Sequence, residues 1–338
     1  DAKFFWDKDK SKNLIKQIGK LKHIIFYEKL GSIYDKTQRL RKLSSLISDD
    51  LNTNKEKLQL AASISKSDLS SDLVGEYPEL QGNMGKYFAM EQGFEEDVAN
   101  AISEHYLPLG NTSPVPKKPV SFSISIIDKL DSLIGFFLID EKPTSSKDPF
   151  ALRRAAIGML RIIIENNLSI KLKDLIVYSI NLFDEQGVKI KNSNTEKEIL
   201  DFLKERMRNI LKEKKIRSDV IEASISSHTG DNFLDLYKKN IVMSRYLLKE
   251  EGKKVISSYK RASNIIDRNE KEITGKPDAV LFRQNEEKAL FDKLNEILKN
   301  FTVKEDKKNY ENLLIQMSEI KELTDNFFDK VKVNDDNH

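Results

Sequence analysis

Four histidines, His23, His105, His228 and His338, are the side chains best suited by type to move protons near neutral pH, and no cysteine accompanies them among the 338 residues. No two of the four fall within a helical turn of each other, so they make no metal-gripping pair. The nucleophile-elbow pattern GxSxG does not occur, nor do the phosphate-cradling loops GxGxxG and GxxxxGKS/T. The arginines lie in helical patterns rather than along an antiparallel sheet, the other arrangement that would cradle ATP. Covalent catalysis and nucleotide activation are therefore not expected of this chain. His105, beside Tyr106 and ahead of Pro108, reads as a hydrogen-bonded helix-end residue in preference to a catalyst.

What remains is recognition through charge. Lys and Arg number 57 against 54 Asp and Glu, a net charge of +3, so any binding to nucleic acid has to come from local patches. One candidate is Lys147, Arg153 and Arg154, at the start of a helix for which Asp148 reads as the cap and Pro149 as the first residue. These arginines either reach a phosphate or pair with carboxylates such as Asp128 and Asp131. A second candidate is Lys260 and Arg261, in a region where Phe282, Phe291, Phe327 and Phe328 build a core or stack on unpaired bases. The segment DFLKERMRNILKEKKIR, Asp201 to Arg217, is a basic amphipathic helix, read as a solvated face on a packed helix. Gly75, Gly82 and Gly85 around Pro78 point to a loop that needs positive φ or close backbone approach. Trp6, with Phe4 and Phe5, reads as a core or inter-domain anchor.

The elements that must position these residues are almost all helical. Apolar residues recur three and four apart in Leu14 to Leu30, Leu40 to Ile47, Leu58 to Ile64, Ile124 to Leu138, Ala151 to Ile164, Glu196 to Leu211, Asn240 to Leu248, Glu286 to Phe301 and Tyr310 to Phe328. Two-residue alternation appears only at Val120 to Ile126, where the serines fit equally well the start of a helix after a proline loop. The polar stretches Asp184 to Thr195 and Asn269 to Lys276 read as connections between helices. The expected fold is all-α and multi-domain: a linker or end of a preceding domain over 1–14, a helical domain at about 15–165, a helical middle at about 166–245 and a C-terminal helical domain over 246–338. The apolar runs are too short for a membrane span, and the absence of cysteine excludes disulfides and fits a reducing cytoplasm. The sequence opens DAKFFWDKDK, without an initiator Met or a secretory signal, and reads as part of a longer polypeptide.

The layout of helices from Tyr34 to Leu133 resembles the HD phosphohydrolase domain, in which histidines and aspartates hold a metal that activates water. In LQLAASISKSDL, Leu58 to Leu69, the His-Asp pair of that domain is replaced by Ser65 and Lys66, while its later Asp corresponds to Asp128 in IIDKLDSL. One aspartate cannot hold a divalent ion, and Lys66 brings a positive charge to the metal's place, so hydrolysis is not expected. A degenerate domain of this kind occurs in the β subunit of the bacterial heterotetrameric glycyl-tRNA synthetase, and the chain resembles that family throughout. The resemblance rests on DAKFFWDKD at Asp1, FYEKLGSIYDKTQRL at Phe26, VGEYPELQGNMG at Val74, EHYLP at Glu104, DKLDSLIGFF at Asp128 and SKDPFALRRAA at Ser146. It continues, more faintly, in YKRASNII at Tyr259, LFRQNEEKAL at Leu281 and DNFFDKVKVNDD at Asp325.

The resemblance implies a degenerate HD-like domain, then a helical linker region, then a helical-bundle anticodon-binding domain cut short at its C-terminus. It implies a non-catalytic subunit that positions tRNA(Gly) through residues such as Lys147, Arg153, Arg154, Lys260 and Arg261, with no metal at Ser65, Lys66 and Asp128. ATP, Mg²⁺ and glycine would bind a separate α subunit, in an α2β2 assembly in the cytoplasm. This chain by itself would be inactive and would hold no cofactor. Two other readings stay open, a divergent HD-type phosphohydrolase and a helical protein-binding scaffold that does not touch RNA.

Overall fold

The structure, a computed structural model, describes residues 2–266, 277–301 and 307–331. Sixteen α-helices and one two-stranded hairpin occur among them. Contacts divide the chain into two units, Asp1–Lys214 with Ile225–Tyr237, and Lys215–Ser224 with Lys238–His338. Residues 166–214, set apart from 15–165 in the sequence reading, fall in the same contact unit as 1–165. The expected connection at Asn269–Lys276 lies outside the described residues.

The first unit opens with α1 (Ala2–Asp9), the single turn α2 (Leu14–Gln17) and a 3-10 stretch at Ile18–His23, followed by β1 (Ile25–Tyr27) and β2 (Gly31–Ser32) in antiparallel register. The helix expected over Leu14 to Leu30 is thus corrected. Gly19 weakens it in the middle, and the run of β-branched and aromatic residues from Ile24 to Tyr27 loses less rotamer freedom in a strand than in a helix. The turn spans residues 28–30, and Gly31, at φ +87°, opens β2 in a conformation that favours glycine.

The chain then enters α3 (Ile33–Leu51) through a capping box, in which Asp35 N–H donates to Ser32 Oγ at 3.2 Å and Ser32 N–H to Asp35 Oδ2 at 2.8 Å. Next come α4 (Lys55–Ile64), α5 (Asp72–Glu76), α6 (Asn83–Glu91) and α7 (Glu96–Glu104). The proline-rich loop ends in Pro119, the first residue of α8 (Pro119–Leu138), so the alternating segment at Val120 is helical. The unit continues with α9 (Leu152–Glu165), α10 (Leu172–Glu185) and α11 (Thr195–Glu213).

α8 is the axis of this unit. It packs against α3, α4, α7, α9, α10 and α11, and 17 of its 20 residues are buried, which accounts for a sequence too apolar to show a clear polar face. Gly135 lets the neighbours approach, since a Cβ there would stand 2.9 Å from Phe183 Cζ and 3.0 Å from Leu30 Cδ1. Trp6 lies on Phe88, ring centroids 5.3 Å apart and planes within 18°, and pins α1 to α6 inside this unit.

After α12 (Ser218–Ser227) and α13 (Phe233–Tyr246), the second unit is built on α14 (Glu250–Ile266), α15 (Asn285–Phe301) and α16 (Lys307–Lys330), with α16 packed against both others. Phe282 meets Phe291 edge-on at 5.3 Å, and Phe327 meets Phe328 at 5.2 Å. Among the described residues no helix is long and apolar enough to cross a membrane.

Candidate functional site

Where α3, α7 and α8 meet, the first unit buries charge. Arg39 of α3 is fully buried, its Nε donating to Asp131 Oδ1 at 2.7 Å and its Nη2 to Asp131 Oδ2 at 3.0 Å, while its guanidinium lies 3.9 Å from the centre of the Phe183 ring. One turn earlier, Lys36 Nζ lies 3.1 Å from Asp131 Oδ2 and 3.4 Å from Asp128 Oδ1. Lys66 reaches the same Asp128 oxygen from the turn after α4, at 3.3 Å, and its ammonium sits over the Tyr106 ring at 4.1 Å. Lys129 points the other way along α8. Its Nζ donates to the carbonyls of His105 at 3.2 Å and Leu107 at 2.8 Å and to Ser125 Oγ at 2.8 Å, supplying positive charge where α7 ends in unpaired carbonyls.

Of Ser65, Lys66 and Asp128, the last two therefore do stand together, as an ion pair. Ser65 Oγ donates to the Ala62 carbonyl at 3.1 Å. A divalent cation does not fit, because two ammonium groups already lie against Asp128, and no group of three potential ligands occurs among the described residues. Burial works to raise the Asp128 pKa, but Lys36 and Lys66 overcome it and hold the carboxyl well below its usual range. Asp131 is likewise held low against its burial, by Arg39 and Lys36. Burial and the neighbouring Lys66 and Lys36 lower Lys129 to about 8, with Asp128 opposing.

His105 caps the end of α7. Its Nδ1 lies 2.7 Å from the Ile102 carbonyl, which can only accept, so Nδ1 carries the proton and the buried Nε2, without a partner, is left with its lone pair. Burial, then Lys66, push its pKa well below 6.5. It is a neutral helix-end residue.

The segment from Asp68 to Gly85 is a clasp that holds this arrangement from the side. Asp68 Oδ2 accepts from the amides of Gly82 at 2.6 Å and Gly85 at 3.1 Å; burial raises its pKa and those two amides oppose the rise. Gly82 takes φ +79°, and a Cβ on Gly85 would stand 2.5 Å from Ile102 Cγ2. Gly75, expected to share this role, is an ordinary residue of α5 with nothing within 4 Å of its would-be Cβ.

The expected basic sites lie elsewhere. Helix α9 begins at Leu152, not at Pro149, because Ala151 adopts φ 53° and closes a turn ahead of it. Asp148 still caps the helix from outside, its Oδ1 accepting from Leu152 N–H at 2.8 Å and its Oδ2 from Arg153 N–H at 3.0 Å. The alternative in which Arg153 pairs with Asp128 or Asp131 is corrected, since those carboxylates belong to Lys36, Lys66 and Arg39. Arg153 is half-buried and donates through Nη2 to the Thr144 carbonyl, while Lys147 and Arg154 are exposed. In the second unit Lys260 is exposed. Arg261 is engaged within the bundle, with Asp325 at 3.0 Å and Asp329 at 2.7 Å.

Sequence reasoning missed Lys36 and Arg39, although a signal exists. Cations three apart on α3 face aspartates three apart on α8, a complementary pair of spacings that one helical turn brings to one face.

Residues 1–226 match the family model described as glycyl-tRNA synthetase beta subunit, and residues 255–338 match that of the DALR anticodon binding domain. Among curated proteins the chain is similar to the glycine–tRNA ligase beta subunits of Rickettsia felis, 39% identical over 335 residues, of Clostridioides difficile, 38% over 341, and of Phenylobacterium zucineum, 35% over 343. Each alignment takes in 99% of this chain and 48% of the relative, so the chain spans about half the length of the curated relatives it matches.

Proposed function

Since the chain belongs to the glycyl-tRNA synthetase β-subunit family, we propose that it is the tRNA-holding part of a glycine–tRNA ligase, positioning tRNA(Gly) for glycylation by a separate α subunit. The observation that carries this reading is the anticodon-binding match over 255–338 on a chain that also presents exposed basic side chains, Lys147 and Arg154 in one unit and Lys260 in the other. ATP, Mg²⁺ and glycine act on the α subunit, and full-length β joins it as α2β2 in the cytoplasm. The helices from Tyr34 to Leu133 are on this reading a degenerate HD-like domain that no longer performs hydrolysis.

The chain is expected to bind tRNA(Gly) with an affinity that falls steeply as salt rises, because each phosphate it neutralises releases counterions. Lys260→Ala should flatten the slope of log K against log salt by about 0.7 to 0.9, without moving the melting temperature. Arg261→Ala should act chiefly on stability, because its guanidinium is already shared between two aspartates. Fluorescence anisotropy from 50 to 300 mM salt reads both; no binding to any tRNA at the lowest salt would sink the reading.

Elemental analysis of the purified chain is expected to find no stoichiometric Mn, Fe or Zn, since the ammonium groups of Lys36 and Lys66 occupy the surroundings of Asp128. One tightly held metal per chain, together with phosphatase activity, would favour the phosphohydrolase reading instead.

A further inference from the structure

Rows of side chains on α9 and α11 run side by side in the first unit. Arg153, Ile157 and Ile164 follow each other along one face of α9, and Arg206, Ile210 and Lys214 do so along α11, which packs against it. At one end stand two arginines. Among the described residues the buried Nε of Arg206 has no hydrogen-bond partner and its guanidinium forms no ion pair, and it lies over the Phe202 ring at 4.8 Å from the ring centre. Burial, then the neighbouring Arg153, lower its pKa, and Asp148 opposes them. Both oxygens of Asp148 are already given to the amides of Leu152 and Arg153. Among the described residues two guanidinium groups thus stand near a single carboxylate whose oxygens are both engaged by amides, where an anion with several acceptor oxygens would satisfy both.

Along the same two helices lies a cavity of about 490 Å³, to whose wall Ile157, Ile164, Ile210 and Tyr237 contribute beside Asn111 and charged side chains. Arg161 pairs with Glu165 at 2.8 Å and donates to the Gly110 carbonyl at 3.0 Å, and Glu213 and Lys214 add one charge of each sign to the lining. The volume lies within the range of about 300–1,000 Å³ typical of small-ligand sites, and the lining is mixed, with an isoleucine and tyrosine face among polar groups.

Two arginines placed about one helical turn, or 6 Å, from a cavity with an isoleucine and tyrosine face match a phosphate and the base attached to it. We propose that the α9–α11 site binds one unpaired nucleotide of RNA, with its phosphate between Arg153 and Arg206 and its base in the cavity against Tyr237 and the isoleucines. A duplex offers phosphates to the arginines but keeps its bases stacked, so the cavity selects single-stranded RNA. The assignment rests on the tRNA-binding reading and adds to it a place where a base is taken out of its stack.

The test uses the whole chain and tRNA(Gly), with wild type, Arg206→Ala, Arg206→Lys and Ile157→Trp compared by anisotropy over a salt range. Arg206→Ala should weaken binding about tenfold, equivalent to about 1.4 kcal/mol, and flatten the salt slope by about 0.7, whereas Arg206→Lys should keep the slope. Ile157→Trp fills the cavity from its wall and should weaken binding by about five- to 150-fold, the loss of about 1–3 kcal/mol of base stacking, at unchanged slope. A short single-stranded oligoribonucleotide should compete with tRNA at this site and an RNA duplex of equal length should compete more weakly. Equal competition by the duplex overturns the nucleotide assignment. Wild-type affinity in both Arg206→Ala and Ile157→Trp, each with an unchanged melting temperature, overturns the site while leaving the tRNA-binding reading intact. A wild-type chain that binds no tRNA removes both together.

Discussion

Asp131→Ala is expected to cost the first unit about 3–5 kcal/mol, because it strands a fully buried guanidinium without its carboxylate. Lys36 would lose its closest acid in the same step. For a unit of this size such a loss lowers the melting temperature by about 6–20 °C. Trp6 is the only tryptophan in the sequence and is stacked on Phe88 in the first unit, so its fluorescence follows that unit without interference from the other. Asp131→Asn keeps the shape and part of the hydrogen bonding and should fall in between. A melting temperature within 2 °C of wild type for Asp131→Ala, a shift below about 1 kcal/mol, would mean that the arginine finds water or another acceptor and that the buried pair contributes little.

The second large effect is in pH, and its sign follows from five groups. His105 is kept neutral in the folded unit, with a pKa well below 6.5, while the unfolded chain protonates it near 6.5. The unfolded state therefore binds more protons below about pH 6.5, and stability falls as pH drops from there. Asp128 and Asp131 have depressed folded pKa values, so their contribution is complete above 3.8 and is lost as pH falls further. Asp68 acts in the opposite sense, since its raised pKa favours the folded state in acid and offsets part of the loss. Lys129, lowered to about 8 from 10.5, adds stability as pH rises through that interval. The Trp6-detected melting temperature should climb from pH 5 to pH 7, with each unit of pKa displacement contributing about 1.4 kcal/mol, and should not decline at pH 9. His105→Gln should remove the change between pH 6.5 and 5. A flat profile over that interval in the unmodified chain would show that His105 gains a partner or solvent when it protonates.

Helices were legible wherever an apolar stripe met a polar face, as in α3, α9 and α11. The reading failed where local chemistry outweighed periodicity. Leu14 to Leu30 carries apolar residues at helical spacing, yet Gly19 and the Ile24 to Tyr27 run turn it into a 3-10 stretch and a strand. The start of α9 was misplaced by three residues because Asp148 and Pro149 match a cap in sequence, while the backbone turn at Ala151 moves the helix onward and leaves the carboxylate to cap from a distance. Ser65, Lys66 and Asp128 were brought together by family resemblance alone, since nothing local links positions more than sixty apart. The partners of Asp131 were invisible for the same reason, as Arg39 lies 92 residues away. Arg206 was read as one charge on a solvated face. Only the packing of α11 on α9 distinguishes it from its neighbours.

The ammonium of Lys66 against Asp128 also bears on how this interior can change. Exchanging Lys66 for an aspartate would not open a metal site, because Lys36 would remain against Asp128 and a new buried carboxylate would stand beside the old one. Removing Lys36 as well would take a cation from Asp131. Each single step toward a metal ligand set leaves a buried charge without its counterpart, and only concerted replacement at 36, 66 and 128 avoids it. Variation at these three positions is therefore tied together, so a sequence that differs at one of them should differ at the others.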